Sequence, residues 1–478
     1  MIKKLLISFL FILLFSLNAH AACTESPAGT WTTDSASFAD VDECVNTTAS
    51  AGDTVIIGGA SATWTSALSI TDSITIRGLT EGCPDACDNG TKITGGGSNS
   101  LISINVTGDK TIDISKISFD ANGNSRGLYI QNQSITVPLY NVRIHHIEIK
   151  GSTGVAGILV GGDSGFTGLI FGLIDNCKFT DNAYDAKVFG SSASVWTNFP
   201  GLANIGTKEY VYFEDNISTG ITTIALASGT GARWVSRYNT FDMTASGPGD
   251  SGYNVHGDTQ NRGVVAYEIY ENTFDPNESR PTLDSWGGTG IVFNNDINIG
   301  LGRGKIAIRE THQTCSDGSG VCWEDPADSN PCGDEVNNTY LWNNWNTKLN
   351  QPVGIFEVDA GDLDFDPPGS GSCIDENENY WDDASTTPDN SSADTNFDND
   401  ISANRDTENC TAQDSYYETD TEKLYRCTST DTWEFIYSPY TYPHPLQGVG
   451  LITVSNINSG GPTISNIGSG NLTISNMD

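Results

Sequence analysis

One pattern recurs along this chain: an apolar residue, two variable positions, a residue that is often Asn, one more position, then a second apolar residue. It reads Ile114-Ile117-Phe119, Ile144-Ile147-Ile149, Ile174-Cys177-Phe179 and Tyr212-Asp215-Ile217. It continues as Ser236-Asn239-Phe241, Ile269-Asn272-Phe274, Val292-Asn295-Ile297 and Tyr340-Asn343-Trp345. Successive copies begin between roughly 23 and 48 residues apart, the interval of a solenoid or propeller repeat. Propeller blades need four antiparallel strands each, with regular turns. A solenoid instead lets inserts of any length bulge out between coils that share one corner. Asn residues stacked in such a corner satisfy their buried amides with one another. Cys177 occupies an Asn slot, where a thiol packs as a small hydrophobe, so it is expected unpaired. Elsewhere short Val, Ile, Thr and Tyr runs are punctuated by Gly, Asn and Asp, which reads as strands and turns with little helix. The expected fold class is all-β, a parallel β-helix.

The chain opens with Lys3 and Lys4, an apolar run and Ala19-His20-Ala21, the layout of a signal peptide cleaved near Ala21. The run is short for a membrane span and no second one follows, so no transmembrane segment is expected. The mature protein is expected to be secreted, extracellular or periplasmic. Its cysteines then belong in disulfides. Cys23/Cys44, Cys83/Cys87 and Cys410/Cys427 are the local pairs, and Cys315, Cys322, Cys332 and Cys373 share two more. The formal net charge of −37 repels nucleic acid and anionic membranes, which are discarded as partners.

"AGDTVIIGGASATWTSALSITDSITIRG" (51–78), after a short helix expected over 39–49, resembles the capped entry of right-handed parallel β-helices of the pectate-lyase-like (pectin-lyase-like) superfamily. The corners extend that resemblance to Trp345, and "TWEFIYSPYTYPHPLQG" (432–448) is similar to the tail of secreted β-helix proteins of unassigned activity. The expected layout is a leader (1–21), a β-helix with an N-terminal cap (22–365), an acidic insert or loop (366–425), a closing segment of the helix (426–448) and a β appendage (449–478). The last carries a ten-residue repeat, Thr453-Val-Ser-Asn-Ile457, Thr463-Ile-Ser-Asn-Ile467 and Thr473-Ile-Ser-Asn-Met477. The resemblance implies that one long parallel face serves as a glycan cleft. It says less about activity, since fold does not imply function.

Alternation sends every second strand residue inward. Stretches 127–131, 157–161, 223–227, 253–256, 305–312 and 354–359 read as the strands of that face. With Tyr253 and Val255 inward, Asn254 and His256 face out; with Ile306 and Ile308 inward, Arg309 faces out; with Phe356 and Val358 inward, Glu357 faces out. His256 as base, with Arg309 and Arg262 neutralising a uronate, is lyase chemistry. Glu357 with a second carboxylate would instead hydrolyse a sugar. Asn254 and His312 are candidate substrate-binding residues. Against this, a His or Arg beside a Gly-rich turn often serves only exposed carbonyls. His145 and His146 are expected to diverge, as neighbours in a strand do, rather than share a metal. Trp196, Trp234, Trp286 and Trp342 either stack on sugars or lie buried.

The paired-Asp, Gly-His-Gly and Arg-Ile-Lys signatures of polygalacturonase-like hydrolases are missing, as are those of the largest pectate lyase group. Asp362, Asp364 and Asp366 alternate in "DAGDLDFD", as do the acids of "DTNFDND", and such carboxylates can converge on calcium. Neither stretch has the Gly or terminal Glu of an EF-hand, and a solvated acidic loop explains both. The expected function is action on, or binding of, extracellular polysaccharide, as a lyase or glycoside hydrolase. The alternatives are a non-catalytic glycan-binding adhesin and a structural extracellular component.

Overall fold

A computed structural model describes residues 22–79, 90–97, 99–162, 168–190, 204–221, 223–229, 231–243, 252–255, 264–275, 282–298, 306–309, 336, 338–358, 380–382, 397–405 and 410–448. The chain winds as a parallel β-helix with three long sheets. Among the described residues sheet 1 has 13 strands, running from Cys23–Glu25 to Tyr380–Asp382; sheet 2 has 11, from Ser61–Trp64 to Gln351–Pro352; sheet 3 has 10, from Leu68–Ile70 to Ile355–Val358. Each strand pairs in parallel with the one a coil away, except for the antiparallel pairs Cys23–Glu25/Thr30–Thr33 and Trp345–Asn346/Gln351–Pro352. The core is one file of apolar residues per inward position, such as Ile76, Ile114, Ile144 and Ile174. A helix over Phe38–Glu43, capped by Ser37, closes the first end, and its Val41 joins that core. No helix among the described residues is long and apolar enough to cross a membrane.

The corner between sheets 1 and 2 explains the recurring pattern. After each of the eight strands of sheet 1 from Thr111–Ser115 to Thr339–Trp342 one residue adopts a left-handed backbone: Lys116, His146, Asn176, Asp215, Tyr238, Glu271, Asn294 and Asn343, with φ between 50° and 61°. That conformation costs an L-residue on the order of 1 kcal/mol, and the next residue, turned inward, offsets it. Asn216, Asn239, Asn272 and Asn295 each donate Nδ2 to the Oδ1 of the next amide in the file, ending at Asn344, over 2.8–3.0 Å. The same oxygens accept the backbone N–H of the slot before, from Cys177 (2.9 Å) to Asn295 (3.3 Å). The second Nδ2 proton goes to a carbonyl of the preceding coil, as from Asn272 to Ser236 O at 2.8 Å. Cys177 stands in this file, buried and unpaired.

Two corners are shifted by one residue from the sequence reading. The inward amides are Asn216 and Asn344, not Asp215 and Asn343, which sit at the left-handed positions. Each site holds two adjacent polar residues, so composition alone does not set the phase. Disulfides Cys23–Cys44 and Cys410–Cys427 form. The pairs proposed among Cys83, Cys87, Cys315, Cys322, Cys332 and Cys373, and the 449–478 repeat, lie outside the described residues.

Beyond the coils, Phe397–Asp400, Ser415–Glu418, Lys423–Ser429 and Thr432–Tyr437 form a separate four-stranded sheet. The boundary expected at 425/426 therefore falls inside a strand of this sheet, which pairs with its neighbours and not with a coil. The sheet covers the outer face of sheet 1, where Tyr270, Phe293 and Trp342 stack at 4.6 and 4.4 Å beneath Tyr417 and Tyr437. The following segment straps onto the same face. Arg237, fully buried, pairs with Glu214, and its Nη2 donates to Thr441 O at 2.8 Å. Glu268, also fully buried, accepts from Tyr437 Oη and Gly206 N–H, both at 2.8 Å. Burial pushes its carboxyl up to about 7.

Two outcomes follow. Asn272→Ala should cost about 3 kcal/mol in urea unfolding, because it leaves the Asn239 backbone N–H and the Ser236 carbonyl without partners in the interior; Cys177→Ala should cost about 1 kcal/mol. Between its ordinary value of 4.5 and about 7, Glu268 keeps a proton in the folded state that the unfolded chain releases, so its contribution to stability falls as pH rises through that window. Glu268→Gln should thus gain about 2 kcal/mol on the wild type between about pH 5 and about pH 8.

Candidate functional site

The face expected to form the cleft is the outer side of sheet 3. Its register places Ala227, Asn254, Asp284, Ala307 and Phe356 in one file and Val255, Ser285, Ile308 and Glu357 in the next. Tyr253 and Val255 are fully buried and Asn254 is half-buried, as alternation requires. Glu357 shares the file of the buried Val255, Ser285 and Ile308, a different file from Asn254. The apolar residues at 353, 355, 356 and 358 fit either phase, which is why sequence alternation placed it differently. Arg309 pairs with Val358. His256, Arg262, His312, Asp362, Asp364 and Asp366, as well as Trp196, lie outside the described residues, and of Arg309 and Glu357 only the backbone is described.

Toward the N-terminal coils the same face runs through Ser103, Tyr129, Leu159, Lys187 and Ala227 before reaching Asn254. Ser103, Tyr129, Lys187 and Asn254 are half-buried. The Arg126 guanidinium lies 4.5 Å from the centre of the Tyr129 ring, and Lys187 Nζ lies 3.6 Å from that of Tyr184. Further on, Asp284 is buried and accepts from Trp286 Nε1 at 2.7 Å. Trp234 and Trp342 are buried, the first inside the helix and the second beneath the four-stranded sheet, so neither offers a ring to a sugar.

A second constellation stands on the outer face of sheet 1, at its corner with sheet 2. His145 ends the strand Leu139–His145 and points out, because Ile144 beside it is fully buried. His146 would point the other way in a strand. Its φ of 50° turns the chain instead, so both imidazoles share one side, with Nδ1 atoms 2.8 Å apart and rings nearly perpendicular. One coil on, the fully buried Asp175 stands in register with His145. Arg143 grips it with two bonds, Nε to Oδ1 at 2.9 Å and Nη2 to Oδ2 at 2.8 Å, and Asn176 donates to Oδ2 at 2.9 Å. One coil back, Asp113 Oδ1 lies 3.3 Å from His145 Nε2. Burial, and then the neighbouring His145, hold the His146 imidazole below its ordinary value of 6.5.

The sequence reading expected these two histidines to diverge. The signal that places them together is the corner itself: His146 stands in the file of Asn176, Asp215, Asn294 and Asn343, and Asn, Asp and His are the residues enriched in the left-handed region. The chain matches no known family and no curated protein.

Proposed function

We propose that the protein acts outside the cell on polysaccharide, with an extended glycan lying across the outer face of sheet 3. The observation that carries this reading is the file Ser103, Tyr129, Leu159, Lys187, Ala227 and Asn254, one position per coil at about 4.8 Å, in which Ser103, Tyr129, Lys187 and Asn254 are half-buried and Leu159 and Ala227 are buried. Such a spacing offers hydrogen bonds and ring contacts to a polymer of repeated hydroxyl-bearing units. The two disulfides suit an oxidising compartment. In this reading Asn254 and His312 bind the chain, His256 removes a proton, and Arg262 and Arg309 neutralise a uronate in a lyase. Calcium at Asp362, Asp364 and Asp366 would let so acidic a protein approach an acidic glycan.

The test is a screen of the mature protein against neutral and uronate glycans, with and without calcium. His256→Ala and Arg309→Ala are expected to abolish cleavage, and Asn254→Ala to weaken binding about tenfold without changing the unfolding midpoint. Binding with no cleavage on any glycan favours the adhesin. Neither binding nor cleavage overturns the proposal.

A further inference from the structure

We propose that His145, His146 and Asp175 form a binding site for a divalent late transition-metal ion, copper(II) foremost. The ligand atoms of the three residues all lie within 4.8 Å of one another, each residue offering one atom. Two nitrogens 2.8 Å apart subtend about 90° at an ion about 2.0 Å from both. That is the angle between adjacent ligands in the tetragonal sets copper(II) and nickel(II) prefer, narrower than the tetrahedral angle of zinc. Imidazole nitrogen also selects these ions over calcium, which takes oxygen.

The surroundings orient the donors. With His145 protonated on Nε2, that nitrogen donates to Asp113 at 3.3 Å and the His145 Nδ1 lone pair faces His146; the His146 Nδ1 proton that bridges the two rings at 2.8 Å moves to Nε2 of the same ring when the ion takes its place. A carboxylate behind a ligating imidazole is the usual outer support of a metal-bound histidine. Asp175 keeps a free acceptor site despite its grip by Arg143. A carboxylate offers about four lone-pair positions; Oδ2 receives both Arg143 Nη2 and Asn176 Nδ2, whereas Oδ1 receives Arg143 Nε. Arg143 thus neutralises part of the charge and holds the carboxylate still. The corner is also rigid: the Lys116 backbone N–H donates to His146 O at 3.0 Å, and the His146 N–H donates to Asp175 O at 3.2 Å. The site does not depend on sheet 3 or on any glycan.

The test uses the mature protein, freed of metal with a chelator and titrated with copper(II), zinc(II) and calcium separately. One copper ion per chain is expected, with a paramagnetic resonance spectrum showing coupling to two nitrogens. His145→Ala and His146→Ala should each weaken copper binding at least a hundredfold, and Asp113→Asn about tenfold; His256→Ala with His312→Ala should leave it unchanged. The smaller His146→Asn, which tolerates the left-handed backbone, separates loss of an imidazole ligand from loss of fold, with circular dichroism as the control. Copper binding of unaltered strength in the His145→Ala/His146→Ala double variant, or a spectrum with no nitrogen coupling, overturns the proposal.

Discussion

The amide file from Asn216 to Asn344 sets the phase of the helix. A parallel coil has no hairpin to fix its register, so something at each turn must decide which residue faces in. Here one side chain both accepts and donates along the axis, and a slip of one residue would leave several buried polar groups without partners. The left-handed residue before each amide is the accompanying strain. It is tolerated because the next coil repeats it in register. In the N-terminal coils the apolar Ile117 and Ile147 occupy the same slot, and buried amides elsewhere in the coil, such as Asn182 to Ser152 and Ile149, make the bonds between turns.

Once the phase is set, each sheet presents one outward file per alternate position, and the molecule treats its faces differently. From the strand Ile170–Asp175 to Thr339–Trp342, sheet 1 hides its outer side. Glu214, Arg237 and Glu268, all fully buried, are matched by the strap and by Tyr437, and an aromatic stack continues the cover toward Trp342. Only where that cover ends do His145 and His146 reach partial exposure. A buried ion pair such as Glu214–Arg237 contributes little net stability and is costly to break, and Glu268 is held by hydrogen bonds from Gly206 and Tyr437; both groups are satisfied only with the strap and the four-stranded sheet in place.

How much was visible in the sequence follows from the same physics. The corner repeat, the unpaired Cys177 and the inward Tyr253 and Val255 were legible because each rests on a local rule of burial or alternation. Asn216 and Asn344 were misplaced by one because an Asp-Asn or Asn-Asn pair looks alike in either phase; only the neighbouring coil decides. The convergence of His145 and His146 was missed because alternation assumes strand geometry, and one residue at φ 50° cancels it. The four-stranded sheet escaped notice since its partner, the outer face of sheet 1, is assembled from coils distant in sequence.

The winding itself is open to direct measurement. Spin labels at Ser103 and Asn254 on sheet 3, and at Lys92 and Thr240 on sheet 2, are each separated by five coil steps. At about 4.8 Å per step both pairs should give one narrow distance distribution near 24 Å by pulsed dipolar spectroscopy, within the reach of the label tethers. Broad distributions, or two clearly unequal distances, would contradict a chain that climbs one coil at a time.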